Sequence, residues 1–456
     1  MQPSEKIAKF VYHFDGGLQD DSVLRRIKAA IIDYVAVTIA GGNEESAKIV
    51  QRLIPMMGGN PQATIWATGE KSSVLMAALT NGTAAHALDY DDSSSVMRTH
   101  PSSLMLPGLF ALGEYGHKSG KDILTAYATS FEVAAKLGRA LNPELVDQGW
   151  LPVGVLGLFL QTLACAKMMS LDPHQVQMAM GIAANWASGL RCNNGSMAKP
   201  LLAGTVGVNG ILAALLAKSG MTGNPNALES QYGVFENFGR KDPLSLQEPI
   251  RALGEPLDII QTGIIHKQFP SCTGTHMPIE CALQIVRKNF FDLQKIERIE
   301  VLLSSLARPL LIYPRPKNEM EAKFSLEYCV ARAILDGQMG VTQFTKDKVE
   351  SPEVRRLMEK VKAIYDEVPD SQKNRDWTHF PVEMFIYLKN GHVLSSRVET
   401  LMGSIQNPMS PKELEEKFHQ CCRERLSDHQ AKNVMDELIK FEELEDVNKL
   451  AILFRK

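Results

Sequence analysis

Apolar and polar positions in the first 260 residues follow a helical pattern. In Ser22–Ala40 the apolar side chains recur at near-helical spacing, and Gly41-Gly42 gives this helix a clear end. The predicted segments are rich in Ala and Gly, so we expect helices packed at close distance rather than a sheet. Further helices are predicted at Ser73–Leu88, Leu104–Tyr115, Lys121–Leu141, Pro152–Met169, Asp172–Ser188 and Leu201–Lys218.

Strand-like periodicity begins near residue 295. Lys295–Leu303 is predicted as a strand, and apolar and polar side chains alternate along Val382–Lys389. Asn390-Gly391 follows directly, which predicts a hairpin with a type I′ turn into His392–Thr400. The remaining predicted helices are Ser325–Leu335, Pro352–Tyr365, Pro411–Phe441 and Asp446–Phe454.

This order of elements predicts a mainly α protein with a second α+β domain. The helical domain would be discontinuous, formed by residues 1–265 and closed by residues 400–456, and the α+β domain would span residues 266–399. A length of 456 residues agrees with more than one domain, because it exceeds what one hydrophobic core usually supports.

Composition excludes several classes of protein. Hydrophobic and charged residues make up 45% and 22% of the chain, and a net charge of -3 gives no electrostatic signature for nucleic acid or an anionic membrane. The longest apolar run, Val153–Cys165, is interrupted by Gln161 and Thr162, so no membrane span is predicted. The first residues lack signal-peptide architecture, and seven thinly spread cysteines do not indicate a disulfide framework. We therefore expect a cytoplasmic protein.

Candidate chemistry is concentrated in Asn81–Pro101, a charged stretch between two apolar helices that includes Asp89, Asp91 and Asp92. Since unpaired burial of carboxylates is expensive, the stretch is either a solvated turn with helix caps or a functional site. Its apolar flanks favour a site at the base of a cleft. EF-hand, H-E-x-x-H and C-x-x-C patterns are missing from the sequence, so we expect no catalytic metal.

His100 is the candidate general acid or base of this stretch. Pro101 follows it, which keeps the backbone of His100 extended and outside the next helix. An imidazole close to carboxylates suits proton transfer, although an isolated histidine is more often structural. Both interpretations remain open at this point.

Arg191–Gly204 is a second polar segment, and it contains Lys199. The segment matches neither a Walker A loop nor a dinucleotide-binding loop, so Lys199 is either a carboxylate-binding cation or a solvated charge. A third segment, Phe269–Pro278, carries Cys272 and His276 without the signature of a cysteine protease.

Four motifs in the same order resemble the MmgE/PrpD family, and together they extend over nearly the whole chain. They are HALDYDD followed by THPSS, RCNNGSMAKPLLAG, FPSCTGTHMP and AKFSLEYCVARAILDG. The family includes 2-methylcitrate dehydratase, cis-aconitate decarboxylase and iminodisuccinate epimerase. The resemblance implies a cofactor-free homodimeric enzyme with a large discontinuous helical domain, a smaller α+β lid and a small carboxylate as substrate. It places the active site between the two domains.

The resemblance also implies roles for particular residues. The aspartate of the family falls on Asp89, a hydroxyl contact on Ser93, the histidine of HPS on His100 and the substrate lysine on Lys199. Asp91, Thr99, Arg191 and Arg308 are further candidates for substrate binding, and Cys272 or His276 for a second acid.

This chain departs from decarboxylase-like members of the family at two positions. Leu151 stands where those members have a histidine in a Phe-His-Pro turn, and Cys272 replaces their second active-site histidine. Arg308 lies near the position of their tyrosine after the strand. We therefore expect a dehydratase of the citrate or 2-methylcitrate type, with an epimerase of a dicarboxylate as the alternative and a cis-aconitate-type decarboxylase after that. A non-catalytic carboxylate binder is the alternative outside enzymology, and the presence of Asp89, His100 and Lys199 speaks against it.

Overall fold

The computed structural model describes residues 1–57, 59–239, 243–368, 378 and 380–455, with the side chains of 243–246 left out. Contact density divides the chain into two compact units. The first unit comprises Met1–Asn193, Ala198–Ile264 and Ser410–Lys456, and the second comprises Asn194–Met197 and Ile265–Met409. The predicted fold class, mainly α with a second α+β domain, is confirmed.

The first unit is built from helices joined by short loops, with one small antiparallel ribbon of β1 (Ala63–Thr64) and β2 (Lys71–Ser72). Up to residue 264 its helices are α1 (Pro3–His13), α2 (Asp21–Gly41), α3 (Glu45–Met57), α4 (Val74–Ala87), α5 (Pro101–Tyr115), α6 (Gly120–Leu141), α7 (Glu144–Asp147), α8 (Pro152–Met168), α9 (Pro173–Ala184), α10 (Ala198–Lys218), α11 (Val234–Phe238), α12 (Pro243–Arg251) and α13 (Asp258–Gln261).

Helix α10 lies in the core of the first unit, packed against α4 and α8. It is long and apolar enough to cross a membrane, but 56% of its most apolar window is buried inside the protein, as in a core helix. Gly204 allows its close approach to α4, because a Cβ atom at this position would lie 2.3 Å from the carbonyl oxygen of Leu79. This contact determines where the first turn of α10 meets the end of α4.

The second unit contains a four-stranded sheet in the order β4-β3-β5-β6, formed by β3 (Ile296–Ser304), β4 (Val361–Asp366), β5 (Val382–Leu388) and β6 (Val393–Val398). β3 pairs parallel to β4 and antiparallel to β5, and β5 pairs antiparallel to β6. Alternate residues of β5 are buried, as predicted. The helices of this unit are α14 (His276–Lys288), α15 (Glu319–Ala322), α16 (Leu326–Asp336), α17 (Lys346–Glu350) and α18 (Pro352–Met358).

The helix predicted over Pro352–Tyr365 was wrong in its second half. Helix α18 ends at Met358, and Val361–Asp366 forms strand β4. The predicted helical pattern was local, whereas the parallel pairing of β4 with β3 supplies backbone hydrogen bonds that a helix here would lose.

The predicted hairpin exists, but its turn is not type I′. Gly391 donates its N–H to the carbonyl of Leu388 at 2.9 Å, so Lys389 and Asn390 are the central residues of the turn. A type I′ turn needs positive φ at both, and neither is among the described residues with positive φ. Gly391 has φ +85°, which is the pattern of a turn followed by a glycine bulge.

The last part of the chain completes the first unit with α19 (Pro411–Cys422), α20 (Asp428–Ile439) and α21 (Asn448–Ile452). The single helix predicted over Pro411–Phe441 was wrong, because the chain turns after Cys422. Ser427 then caps α20 by accepting the N–H of Gln430. The other predicted helices exist, with α9 and α21 shorter than expected.

Candidate functional site

The polar loop after α4 is held in a defined conformation. Asp89 has φ +52°, a left-handed conformation that aspartate tolerates better than most residues. Ser94 donates its N–H to the carbonyl of Thr99 at 2.9 Å, which closes the loop. His100 is the N-cap of α5 with φ −114° and ψ 84°, and Pro101 is the first helical residue. The prediction that His100 lies outside the helix is confirmed, but its backbone is not fully extended.

Lys199 lies on the first turn of α10, buried against the end of α4. Its Nζ donates to Asp89 Oδ1 at 2.7 Å and to His86 Nε2 at 2.8 Å. A buried ammonium needs such partners, because isolated charges are strongly disfavoured away from water. The alternative of Lys199 as a solvated loop charge is therefore wrong.

His86 is a member of this cluster that the sequence analysis did not select. Its Nδ1 lies 2.8 Å from Asp91 Oδ2. Burial lowers the pKa of His86 below its usual value, and the positive charge of Lys199 lowers it further, while Asp91 raises it. His86 is thus neutral at neutral pH, with Nε2 accepting from Lys199 and Nδ1–H donating to Asp91. In the sequence its signals were the three-residue spacing before Asp89 and its place at the start of the HALDYDD motif.

His100 completes the cluster from the start of α5. Its Nδ1 lies 2.9 Å from the carbonyl oxygen of Asp92 and 3.5 Å from Asp91 Oδ2. A carbonyl oxygen can only accept, so Nδ1 carries the proton. When the ring is neutral, Nε2 is then its basic nitrogen. The rings of His86 and His100 meet edge to face, with centroids 4.4 Å apart.

Asp92 supports the loop rather than joining the ion-pair chain. Its carboxyl group accepts the N–H of Ser102 at 3.1 Å and is hydrogen-bonded to the hydroxyl of Ser102, which in turn lies 2.8 Å from the hydroxyl of Tyr127. Burial raises the pKa of Asp92 well above its usual value, and the carboxylate of Asp33 raises it further. Asp92 therefore caps α5 with a carboxyl group that keeps its proton to higher pH than usual, while its carbonyl orients His100.

Three further candidates of the first unit lie in loops and turns. Ser93 and Thr99 are buried in the loop between α4 and α5. Arg191 begins a short 3-10 turn and donates to the carbonyl of Val146 at 3.0 Å. Leu151, where the resemblance places a histidine in decarboxylase-like members, is a buried apolar residue at the N-cap of α8.

Candidates of the second unit lie in two places. Cys272 is buried, with its N–H donating to the carbonyl of Lys323, and His276 is the first residue of α14. His276 Nε2 lies 3.2 Å from the carbonyl oxygen of Ser271. Arg308 is exposed, where it pairs with Glu367 at 3.4 Å.

Tyr313 is the tyrosine that follows β3. Its hydroxyl donates to the carbonyl of Asn194 at 2.5 Å, and a Cβ atom at Gly195 would collide with its ring. Tyr313 therefore holds the segment Asn194–Met197, which directly precedes the turn that carries Lys199 in the sequence.

His86, Asp89 and His100 also have the donor types of a metal site, since one ligand atom from each lies within 4.8 Å of the others. Lys199 Nζ is within hydrogen-bond distance of two of them. Its ammonium already supplies the positive charge at this position, so a metal ion would have to displace it. The described geometry thus favours acid-base chemistry on an anionic substrate.

Comparison with known proteins identifies the family. Residues 5–247 match the MmgE/PrpD N-terminal domain, and residues 269–440 match the MmgE/PrpD C-terminal domain. The chain is 28% identical to a cis-aconitate decarboxylase of Mus musculus, with 99% of this chain and 93% of that protein aligned. It is 27% identical to a cis-aconitate decarboxylase of Aspergillus terreus, with 96% and 94% aligned. With family matches over both parts of its sequence, this chain belongs to the MmgE/PrpD family, as the motifs predicted.

Proposed function

We propose that this protein is a cofactor-independent lyase that removes a proton next to a carboxylate of a small di- or tricarboxylic acid. The observation that carries the proposal is the buried chain of contacts from Asp89 through Lys199, His86 and Asp91 to His100. The similarity to cis-aconitate decarboxylases over nearly the full length supports the broader class of a lyase acting on a carboxylate.

His100 is the proposed base. Its Nδ1–H donates to the carbonyl of Asp92, so Nε2 is the ring nitrogen that accepts a proton, and Asp91 stabilises the imidazolium that forms. A hydrogen next to a carboxylate is weakly acidic, so the negative charge that develops must be met by a cation already in position. Lys199 supplies this charge, because Asp89 and His86 hold its ammonium from two sides.

Within this class we propose dehydration of a hydroxy acid of the citrate or 2-methylcitrate type. The proton taken by His100 Nε2 is then available to the departing hydroxyl group, so that both leave as water and a carbon-carbon double bond forms. The imidazole of His100 can accept the proton first and donate it afterwards, while the ammonium of Lys199 meets the negative charge that develops in between.

Decarboxylation of a cis-aconitate-like acid is the second candidate, favoured by the names of the relatives. This reaction replaces a carboxylate by hydrogen and needs a proton donor at the carbon that loses CO₂. Leu151 offers no proton where the resemblance places a histidine in decarboxylase-like members, and Cys272 replaces their other histidine. Dehydration therefore remains our first candidate.

Proton NMR in D₂O separates the candidates. The enzyme is incubated in turn with citrate, 2-methylcitrate, cis-aconitate and iminodisuccinate, with His100→Ala as the control. We expect a vinyl proton signal from citrate, or from 2-methylcitrate either a vinyl proton or a methyl signal shifted to the position of a methyl group on a double bond. Loss of CO₂ from cis-aconitate would show that the enzyme is a decarboxylase and not a dehydratase. Deuterium exchange without net product would indicate an epimerase. Neither turnover nor exchange with any of the four acids would contradict the proposed function.

Assembly and compartment are also part of the proposal. We expect a homodimer in the cytoplasm that acts without cofactor, nucleic acid or membrane. Size-exclusion chromatography with light scattering measures the mass in solution, and a monomer at assay concentration would contradict the dimer.

A further inference from the structure

Lys417, on helix α19, reaches the site loop from the C-terminal part of the first unit. Its side chain is 3% exposed, and its Nζ donates to the carbonyl of Tyr90 at 2.9 Å. The same ammonium lies 2.6 Å from Asp33 Oδ1 on α2 and 3.9 Å from the centroid of the Tyr90 ring. Three interactions thus connect Lys417 to one residue of the loop and to the helix behind it.

Tyr90 separates the two aspartates that hold the site cluster. Asp89, on one side, binds Lys199, and Asp91, on the other, binds His86. The carbonyl that Lys417 binds belongs to the peptide bond between Tyr90 and Asp91, so this contact restrains the backbone from which both carboxylates extend. Asp89 has a left-handed backbone, a conformation that persists only where the surrounding contacts determine it.

Stability alone does not explain a lysine at this position. A buried ion pair stabilises a fold little, because desolvation of both charges offsets their attraction, and an apolar pair of similar volume is often as stable. What an apolar side chain could not provide is a charged donor to the Tyr90 carbonyl. The sequence separation of 327 residues between Lys417 and Tyr90 hid this contact from sequence analysis.

We propose that Lys417 is a positioning residue of the active site, which fixes the Tyr90 peptide so that Asp89 and Asp91 hold Lys199 and His86 in place. This inference rests on the proposed function, since it concerns the same cluster. Lys417 acts on the reaction through these contacts and does not take part in proton transfer itself.

The experiment compares Lys417→Met with Lys136→Met. Lys136 is a matched control, because its side chain is also 3% exposed and it contacts two carboxylates, Glu132 at 3.2 Å and Asp258 at 2.8 Å. Both variants leave a buried carboxylate without its lysine and lose stability. We expect kcat to fall about 10- to 100-fold in Lys417→Met with KM within about threefold, and kcat to stay within about threefold in Lys136→Met.

A double variant separates positioning from folding. Asp33→Asn in the Lys417→Met background removes the uncompensated carboxylate, so thermal stability should recover, but the Tyr90 carbonyl still lacks its donor and kcat should stay low. It also provides the test if Lys417→Met alone does not fold. Recovery of kcat together with stability, or equal kcat losses in the two lysine variants, would overturn the proposal.

Failure of the proposed function gives a different result. All kcat values are measured on whichever acid the wild-type enzyme converts, with His100→Ala as reference. Wild-type turnover in His100→Ala would show that the cluster is not the catalytic site, whatever the Lys417 variants do.

Discussion

Lys199 is the residue on which the charges of the site depend. It is the cation between Asp89 and His86, and the pKa of His86 is lowered partly because this ammonium is adjacent. The chain of contacts continues from His86 to His100 through Asp91. Asp91 Oδ2 accepts from His86 and lies 3.5 Å from His100 Nδ1. At the residue scale, the members of the cluster thus hold one another in position through hydrogen bonds and opposite charges.

Replacing Lys199 by Met should lower kcat about 100- to 1000-fold, because the charge that meets the developing anion is lost. Lys218→Ala, at the exposed end of the same helix, is the control and should retain wild-type kcat. Turnover is measured with the substrate found by NMR, at a temperature where circular dichroism shows both variants folded. Wild-type kcat in the Met variant would place the site elsewhere.

The raised pKa of Asp92 leads us to expect that the stability of the protein depends on pH. Its folded-state pKa lies well above the ordinary value of 3.8, so the folded protein keeps a proton that the unfolded chain releases. The stability from this group is present below the ordinary pKa and is lost as pH rises through the folded-state pKa. Asparagine stays neutral and can still accept from Ser102. We expect Asp92→Asn to be more stable than wild type by about 1–3 kcal/mol near pH 8, with a smaller difference near pH 5.

The measurement is thermal melting of both proteins across that pH range. Ser427→Ala, which removes the cap of α20, is a control that should lower stability to a similar extent at every pH. A stability difference between Asp92→Asn and wild type that does not change with pH would show that Asp92 titrates normally.

At the scale of elements, the packing of α10 on α4 brings Lys199 to Asp89 and His86. The contact is close because Gly204 faces the carbonyl of Leu79 and the hydroxyl of Thr83. Lys199 lies on the same helix, so any displacement of α10 is passed to its side chain.

Gly204→Ala should therefore reduce both stability and turnover. Its Cβ would lie 2.3 Å from Leu79 O and 2.5 Å from Thr83 Oγ1, so α10 must shift, at a cost of about 1–3 kcal/mol. Gly207→Ala is the matched control on the same helix, because its Cβ would lie 3.4 Å from its nearest neighbour, Ala78 O. Alanine there should be neutral or stabilising by up to about 1 kcal/mol. Urea denaturation and kcat are measured for both, and equal effects would contradict the packing argument.

At the scale of the whole molecule, the C-terminal residues complete the first unit. Helix α19 packs on α2, and Phe454 near the end of the chain is fully buried, stacked on Trp66 with ring centroids 5.1 Å apart. The second unit has a core of its own around the β3 and β5 strands. The stability of the first unit thus depends on residues far apart in the sequence.

Phe454→Ala should destabilise the protein by about 3–5 kcal/mol, the usual cost of removing a fully buried aromatic ring. Ile452→Ala removes a side chain that is 53% exposed only two residues away and should change stability by less than about 1 kcal/mol. Thermal and urea unfolding test both variants. If Phe454→Ala melts like wild type, the C-terminal residues do not close this core.

Local chemistry determined a large part of this protein from the sequence. Helix periodicity, the hairpin and the position of His100 outside the helix that begins at Pro101 depend on neighbouring residues and were predicted. Among the wrong predictions, one lay where a distant partner decided, as in the pairing of β4 with β3. Another lay where the glycine took a different place in the turn, as at Gly391, and a third was the missed break between α19 and α20. Four motifs in order also sufficed for the family.

Tertiary structure alone decided the partners of the charged groups. Lys199 meets His86 across 113 positions, and Lys417 meets Tyr90 across 327. Periodicity describes which face of an element is buried, but not which atoms of two elements come within hydrogen-bond distance. The packing of α10 against α4 decided two questions that the sequence left open. It made His86 a member of the site rather than a core residue, and it buried Lys199 instead of leaving it in solvent. The sequence determined the elements and the chemical groups, and the packing determined which of those groups act together.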